Sequence, residues 1–314
     1  MRSRFLIPPL LSLLLLVAAC SDDDDPPPTP TSAAALEATA TTEAAPLSEA
    51  KSFTGSDGET VILEAPPQRI VSLASHATEI FCAIGAGEQL VAVDQFANCP
   101  AGSDEKPAVD AFQPSVEAIV TYDPDLVYAW YDPGDLVQSL RNAGITVFFL
   151  AVPSDIEGLF DNIRLIGGIA GREDASETLI EDMEAERDAI VATLDGIDAG
   201  PRIFHESDAS LYTARSDTFV GELYTLLKAQ NIADEAGSPY PQLSSEAVVA
   251  ADPEVIVLAD FADPAEVAAR PGWSAISAVA NDRICPVNPD LTDRPGPNIM
   301  QGLRALADCL YPER

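Results

Sequence analysis

The sequence contains few of the residues and motifs on which enzymes most often depend. Its 314 residues include only two histidines, His76 and His205, and its five cysteines form no CxxC pair. The nucleophile elbow GxSxG, the P-loop GxxxxGKS/T and the zinc-binding HExxH are also missing. The segment "IGAGEQL" holds only two of the three glycines of a dinucleotide fingerprint and follows a helical stretch, so it is typical of a turn that ends a helix. We therefore expect no enzyme activity and no metal site.

Basic residues are scarce as well. Lysine and arginine together number 17 against 51 aspartates and glutamates, which gives a net charge of −34 at pH 7. A surface of this charge repels nucleic acid and anionic lipid. We therefore expect no nucleic-acid partner, and contact with a membrane only through a covalent anchor.

The sequence also lacks an unbroken apolar run long enough to cross a membrane. Arg2 and Arg4 precede an apolar stretch at residues 5–17, and small residues lead to Cys20, which is the pattern of a secretory signal peptide over residues 1–20. The segment "LVAAC" resembles the bacterial lipobox, in which the cysteine becomes the lipidated first residue of the mature chain. This resemblance predicts an extracytoplasmic protein anchored to the cell membrane through Cys20; the alternative is an ordinary signal peptide with an incidental cysteine.

Large apolar residues are almost absent from the stretch that follows. Residues 21–50 contain a run of aspartates, a Pro/Thr/Ala tract and no lysine or arginine. Such a segment cannot bury enough surface to offset the entropy lost on ordering it. We predict a disordered acidic, proline-rich tether over residues 21–55.

Four cysteines remain when Cys20 is assigned to the lipid: Cys82, Cys99, Cys285 and Cys309. Disulfides are the expected state outside the cell, and four cysteines allow three connectivities. Because one pair lies early in the chain and the other late, we favour Cys82 with Cys99 and Cys285 with Cys309.

Short apolar runs recur along the rest of the chain, and each is followed by a helical stretch. The runs are "RIVSLA" from Arg69, "QLVAV" from Gln89, "DLVYAW" from Asp125, "ITVFFL" from Ile145, "PRIFHE" from Pro201, "EVIVLA" from Glu254 and "RICPV" from Arg283. This alternation is typical of buried parallel sheets that are covered by helices. It predicts an α/β fold.

Two segments of the chain repeat one pattern. "SVEAIVTYDPDLVYA" (residues 115–129) aligns without gaps with "SSEAVVAADPEVIVL" (residues 244–258), which places Glu117 over Glu246. The shared pattern is a short helix that ends at an Asp-Pro turn and leads into a buried strand. We interpret the repeat as two lobes of like construction.

A long helix is predicted between the lobes. Residues 172–194 contain no glycine or proline, and an apolar stripe runs through Leu179, Met183, Ile190 and Leu194. We predict two Rossmann-like lobes with central, mostly parallel sheets, joined by this one long α-helix, with a ligand cleft between them. The predicted divisions are an N-terminal lobe at 56–171, the connecting helix at 172–197 and a C-terminal lobe at 198–314.

Several segments, in this order, carry a family resemblance: "RIVSLASHATEIFCAIGAGEQLVAV", "PSVEAIVTYDPDLVYAW", "YPQLSSEAVVAADPEVIVLA", "RPGWSAISAVANDRI" and "RPGPNIMQGLRALADCLYP". With the lipoprotein signal, they resemble the substrate-binding proteins of bacterial ABC importers, in the class III branch with a helical backbone that binds cobalamin, ferric siderophores or haem. The resemblance covers nearly all of residues 60–312. It implies an ABC permease and its ATPase as partners, a small-molecule metal chelate as ligand rather than a resident cofactor, and a monomeric protein.

The resemblance also implies a ligand site rich in aromatic side chains. The matching positions are Phe96, Phe112, Trp130 and Tyr240, with Arg294 nearby and with Tyr212 and Arg215 on the opposing wall. Aromatic faces offer a flat macrocycle or an aromatic chelator a large, rigid contact area. For any one of these aromatics, the alternative is packing in the core.

The two histidines and two of the glutamates have further candidate roles. His76 and His205 stand near strand ends, where each could coordinate haem iron or cobalt or simply form a hydrogen bond. Many family members have proline or serine in place of His76, which leaves the ligand open. Glu117 and Glu246 resemble the surface glutamates, one per lobe, that engage arginines on the two permease subunits; alternatively, each serves only the first turn of its helix.

These features predict an extracytoplasmic protein that captures cobalamin or another metal chelate and delivers it to a permease. The alternatives are capture of a ferric siderophore or haem by the same fold, and a membrane-tethered ligand sensor with no transport role.

Overall fold

A computed structural model describes residues 50–99 and 106–313. The predicted signal peptide, Cys20 and most of the predicted tether lie outside the described residues. The strands are β1 (Lys51–Thr54), β2 (Thr60–Leu63), β3 (Ile70–Ser72), β4 (Leu90–Asp94), β5 (Ala108–Val109), β6 (Leu126–Ala129), β7 (Val147–Phe149), β8 (Arg202–Glu206), β9 (Gln230–Asn231), β10 (Val255–Leu258) and β11 (Ile284–Pro286). The helices are α1 (Ser75–Ala83), α2 (Val116–Thr121), α3 (Leu136–Asn142), α4 (Ile156–Ala170), α5 (Glu173–Ala192), α6 (Phe219–Leu226), α7 (Ser245–Ala251), α8 (Pro264–Ala268), α9 (Ser277–Ala280), α10 (Pro289–Thr292) and α11 (Ile299–Leu310).

Two parallel sheets form the centres of two lobes. The N-terminal sheet has the strand order β5-β4-β3-β6-β7, and the C-terminal sheet has the order β11-β10-β8-β9. Every residue of β3, β6 and β10 is buried, because helices cover both faces of a parallel sheet. The predicted α/β class and the predicted pair of lobes are both confirmed.

The connecting helix α5 carries most of the predicted apolar stripe, and Leu194 lies in the turn that follows it. Met183, Ile190 and Leu194 are buried and Leu179 is partly buried against the same core. The helix itself ends at Ala192, before the predicted boundary, and turns follow it. Helices α4 and α11 pack along α5, so a layer of helices rather than an isolated rod connects the lobes.

The predicted C-terminal boundary of the disordered tether, residue 55, is wrong. Lys51–Thr54 is not disordered but forms β1, which pairs antiparallel with β2. The ring of Phe53 packs against the main core, and this single apolar contact is easily overlooked in a polar stretch.

Each lobe contains one disulfide. Cys82 at the end of α1 is bonded to Cys99, and Cys285 on β11 is bonded to Cys309 on α11. This is the pairing favoured from the sequence. Each bridge closes a short loop, which limits the freedom of the unfolded chain.

Candidate functional site

A cavity of about 320 Å³ lies where strands of the N-terminal sheet end. It is lined mainly by Ser75, Asp94, Phe96, Phe112, Trp130 and Arg294. Asp94 is the last residue of β4, Phe112 follows β5 and Trp130 follows β6, so the parallel topology brings the carboxyl ends of three strands to one place. The size falls within the range of small-molecule pockets, roughly 300–1,000 Å³.

The aromatic side chains of the cavity are exposed rather than packed in the core. Phe96, Phe112 and Trp130 are 49%, 60% and 37% exposed. The rings of Phe96 and Phe112 meet edge to face with their centroids 5.6 Å apart. Exposed rings at the mouth of a cavity are available to a ligand, which distinguishes them from core aromatics such as Trp273.

A repeated Asp-x-Phe turn holds the two phenylalanines. The backbone N–H of Phe96 donates to Oδ1 of Asp94 at 2.8 Å, and the N–H of Phe112 donates to Oδ1 of Asp110 at 2.9 Å. A side-chain carboxylate that accepts from the backbone two residues on fixes the local turn. Asp94 and Asp110 were missed as site residues, although the repeats "DQF" and "DAF" were visible in the sequence.

Asp94 differs from Asp110 in its surroundings. Asp94 is 2% exposed, whereas Asp110 lies at the surface. Burial raises the pKa of the Asp94 carboxyl, opposed by the N–H of Phe96 and by Arg294. Its Oδ2 has no hydrogen-bond partner among the residues that the structure describes.

Arg294 bridges the C-terminal part of the chain to helix α1. One guanidinium nitrogen donates to Oε1 of the buried Glu79 at 2.6 Å, and another donates to Oδ1 of Asp290 at 2.8 Å. Burial raises the pKa of Glu79, and the hydrogen bond and charge of Arg294 oppose that effect. Arg294 therefore lines the cavity while it is already paired with two carboxylates.

The other predicted site residues of the C-terminal lobe form a separate group. Tyr212 and Tyr240 are exposed, and an isolated bridge pairs Tyr212 with Gln242. The guanidinium of Arg215 donates to the carbonyl of Ala236 and lies 3.2 Å from Asp217. The cavity described above does not include these residues, so the structure does not bring the two predicted walls together around it.

Both histidines are buried, and neither is among the residues that line the cavity. The ring of His76 meets that of Trp130 edge to face at 5.9 Å, and burial lowers the pKa of His76 to about 4, with a smaller contribution from Arg294. His205 has its Nδ1 2.8 Å from the Tyr224 hydroxyl. Within residues 50–99 and 106–313, no group of three or more His, Cys, Asp or Glu side chains could hold a metal ion.

Glu117 and Glu246 occupy equivalent places on the surface. Each is exposed in the first turn of a short helix, α2 or α7. The capping serines also match, since Ser115 accepts from the N–H of Ala118 and Ser244 accepts from that of Ala247. The structure thus presents one carboxylate per lobe in the same local setting.

No helix in the described parts of the chain is both long and apolar enough to span a membrane.

Comparisons with known proteins agree with this architecture. The family model for periplasmic binding proteins matches residues 70–291. An uncharacterised ABC transporter substrate-binding lipoprotein of Bacillus subtilis is 30% identical over 286 residues, covering 88% of this chain and 89% of the relative. A cobalamin-binding protein of Halobacterium salinarum is 31% identical over 271 residues, covering 80% of this chain and 71% of the relative. The structure of a periplasmic haem-binding protein from Roseiflexus is similar with a TM-score of 0.71 at 26% identity, over 78% of this chain and 98% of that one.

Proposed function

Because this chain belongs to the periplasmic binding protein family, we propose that it captures a metal chelate in the cavity lined by Phe96, Phe112 and Trp130. Cobalamin is the chelate that we favour. The chain is an extracytoplasmic substrate-binding component of an ABC importer, in the class of its relatives. Its ligand is cargo that passes to a permease, and the protein need not change it chemically.

The exposed aromatic cluster is the observation that carries this proposal. Three rings stand on short segments after the ends of parallel strands, and turns of the Asp-x-Phe type fix two of them. Because these segments are held in place, little conformational entropy is lost when a ligand covers the rings. A flat macrocycle gains a large apolar contact area from such a surface.

Cobalamin is favoured over haem by the side chains of the cavity. Among the described residues, neither histidine nor cysteine lines the cavity, and both are axial ligands that proteins offer to haem iron. In cyanocobalamin the corrin ring, the appended benzimidazole base and the cyanide already fill all six positions on cobalt, so contact with the periphery of the molecule suffices for capture. A ferric siderophore, whose iron is likewise enclosed, is the alternative cargo.

We further propose how the protein is anchored to the membrane and how it docks on the permease. Lipidation of Cys20 would anchor the body outside the cell membrane, and Glu117 and Glu246 would contact arginines on the two permease subunits. The equivalent position of the two glutamates in the two lobes supports a partner that presents two similar surfaces.

Thermal unfolding tests the proposal. Residues 21–314, which omit the signal peptide and the lipidated cysteine, are heated with cyanocobalamin, with haemin and with a panel of ferric siderophores. A ligand that binds the native state raises the midpoint by mass action. We expect cyanocobalamin to give the largest rise. A larger rise of the midpoint with haemin or a siderophore would show that this chelate, and not cobalamin, is the cargo. No rise with any chelate would overturn the proposal.

A further inference from the structure

Asp94 lines the cavity and has a buried carboxylate oxygen that no other described residue uses. Its Oδ1 accepts from the N–H of Phe96, but its Oδ2 has no partner within the described chain and is shielded from solvent. Buried polar atoms are nearly always hydrogen-bonded, and leaving one unpaired is costly. An unpaired oxygen on a residue that lines a ligand cavity therefore points to a donor that arrives with the ligand.

The turn at Phe96 does not explain the burial of this carboxylate. Asp110 holds Phe112 through an equivalent hydrogen bond, and it does so from the surface. What distinguishes Asp94 is that it is buried and lines the cavity, whereas Asp110 is exposed and is not among the lining residues. Both aspartates therefore fix a turn, but only Asp94 is placed to contact a ligand in the cavity.

The charge around the cavity also favours a ligand that brings donors. Arg294 is the one cationic side chain that lines the cavity within the described parts of the chain, and it already donates to Glu79 and Asp290. With Asp94, three carboxylates thus accompany one guanidinium. A ligand group with a negative charge would meet an excess of carboxylates over guanidinium here, whereas an N–H group would meet an unfilled acceptor.

We propose that Asp94 is a specificity-determining residue whose Oδ2 accepts a hydrogen bond from a carboxamide or ammonium group of the chelate, so that the cavity rejects chelates that carry a carboxylate at the same place. This inference rests on the proposed function, since it names the chemical class of the cargo. A site that hydrogen-bonds a ligand group discriminates strongly against an analogue that lacks it, because its polar groups are left unpaired.

Matched pairs of probes test this role with little change in size. One pair is cyanocobalamin and its monocarboxylic acids, in which hydrolysis has converted one peripheral carboxamide to a carboxylate. The other is ferrioxamine B, which carries an ammonium group, and its derivative succinylated at that amine. For the pair that binds, we expect the compound with the intact carboxamide or ammonium group to bind at least about 10-fold more tightly than its carboxylate partner. This factor corresponds to the free energy of one hydrogen bond to a charged group. Among the monocarboxylic acids, the discrimination should be largest for one position of hydrolysis.

Asp94→Asn separates the role of Oδ2 from that of the turn. The amide keeps an oxygen that can accept from Phe96 but places an N–H₂ where Oδ2 was, so the preference within the pair should fall by about 10-fold or more. Asp161→Asn is the matched control, because Asp161 on α4 is exposed and its loss changes the net charge equally. Asp94→Ser, which also retains an acceptor, is a second variant in case the first does not fold.

The outcomes distinguish the two proposals. If a chelate binds but the wild-type protein shows no preference within its pair, or if Asp94→Asn keeps the full preference, the role of Asp94 is wrong and the capture function stands. If neither pair nor haemin binds to the wild-type protein, the capture function is overturned and the role of Asp94 with it. The wild-type preference is measured without any variant, so it tests the role even if both variants fail to fold.

Discussion

At the scale of single residues, Trp130 is supported by a histidine that stays neutral in the folded protein. The buried ring of His76 meets that of Trp130 edge to face, and burial lowers the pKa of His76 from about 6.5 to about 4. A depressed pKa means that the folded state disfavours the charged form. The contribution of His76 to stability is therefore fully present above pH 6.5 and is lost as the pH falls towards 4.

This linkage predicts how a variant of His76 behaves. Relative to His76→Asn, the wild-type protein should lose about 3 kcal/mol of unfolding free energy between pH 7.5 and pH 4, because about 1.4 kcal/mol accompanies each pH unit over which only the unfolded histidine is protonated. Urea unfolding of both proteins at the two pH values measures this difference. Parallel pH dependences for the two proteins would show that His76 is not held neutral.

Some residues of the cavity could be predicted from the sequence, and others could not. Phe96, Phe112 and Trp130 could be placed because aromatics that follow buried strands converge at one edge of a parallel sheet. Asp94 could not be placed, since the same Asp-x-Phe pattern occurs once buried and once exposed. Burial depends on segments distant in sequence, such as the one that carries Arg294.

At the scale of elements, the two lobes build the same joint between a short helix and a buried strand. Asp123 and Asp252 adopt left-handed φ angles of 47° and 46° before their prolines. Arg69 donates to the carbonyl of Asp123, and Arg202 donates to that of Asp252. The repeated helix and turn were predicted from the sequence, but the two arginines were not, because each is more than 45 residues from the turn that it binds.

This repeated joint motivates a prediction for docking to the permease. Changing Glu117 and Glu246 together to Ala should leave the dissociation constant of the chelate unchanged and abolish uptake, because both residues are exposed and outside the cavity. Cells that carry the variant as their only copy are assayed for accumulation of labelled chelate. A double change of Glu181 and Asp182, exposed acids on α5, removes the same charge and should preserve uptake. Normal uptake by the Glu117/Glu246 variant would refute the docking role.

At the scale of the whole molecule, one hydrophobic core runs through both lobes. It includes Ile70 and Leu126 of the N-terminal sheet, Ile203 and Val255 of the C-terminal sheet, and residues of α4, α5 and α11 between them. The sequence predicted the two lobes and the long helix from local periodicity. It did not predict the layer of three helices, because that layer depends on contacts between segments far apart in the chain.

The ion pair between Glu79 and Arg294 links α1 to the C-terminal lobe within this assembly. Its side chains are only 4% and 14% exposed. Removing Glu79 leaves the largely buried Arg294 with only the exposed Asp290 as a carboxylate partner, so Glu79→Ala should lower the free energy of unfolding by about 3 kcal/mol. Glu186→Ala breaks the exposed pair with Arg304 and should cost less than about 1 kcal/mol. Equal effects in urea unfolding would mean that the link between the lobes does not stabilise the fold.

Titration calorimetry with cyanocobalamin tests the central claim, that the aromatic cavity captures the chelate, most directly. The wild-type protein, a Phe112→Ala/Trp130→Ala variant and a Phe261→Ala control are titrated in parallel. Phe261 is 74% exposed and does not line the cavity. We predict one ligand per chain for the wild type and the control, and at least about 2 kcal/mol weaker binding for the double variant, as expected when contact aromatics are truncated. Absence of binding to the wild type, or equal affinity in all three proteins, would contradict the account.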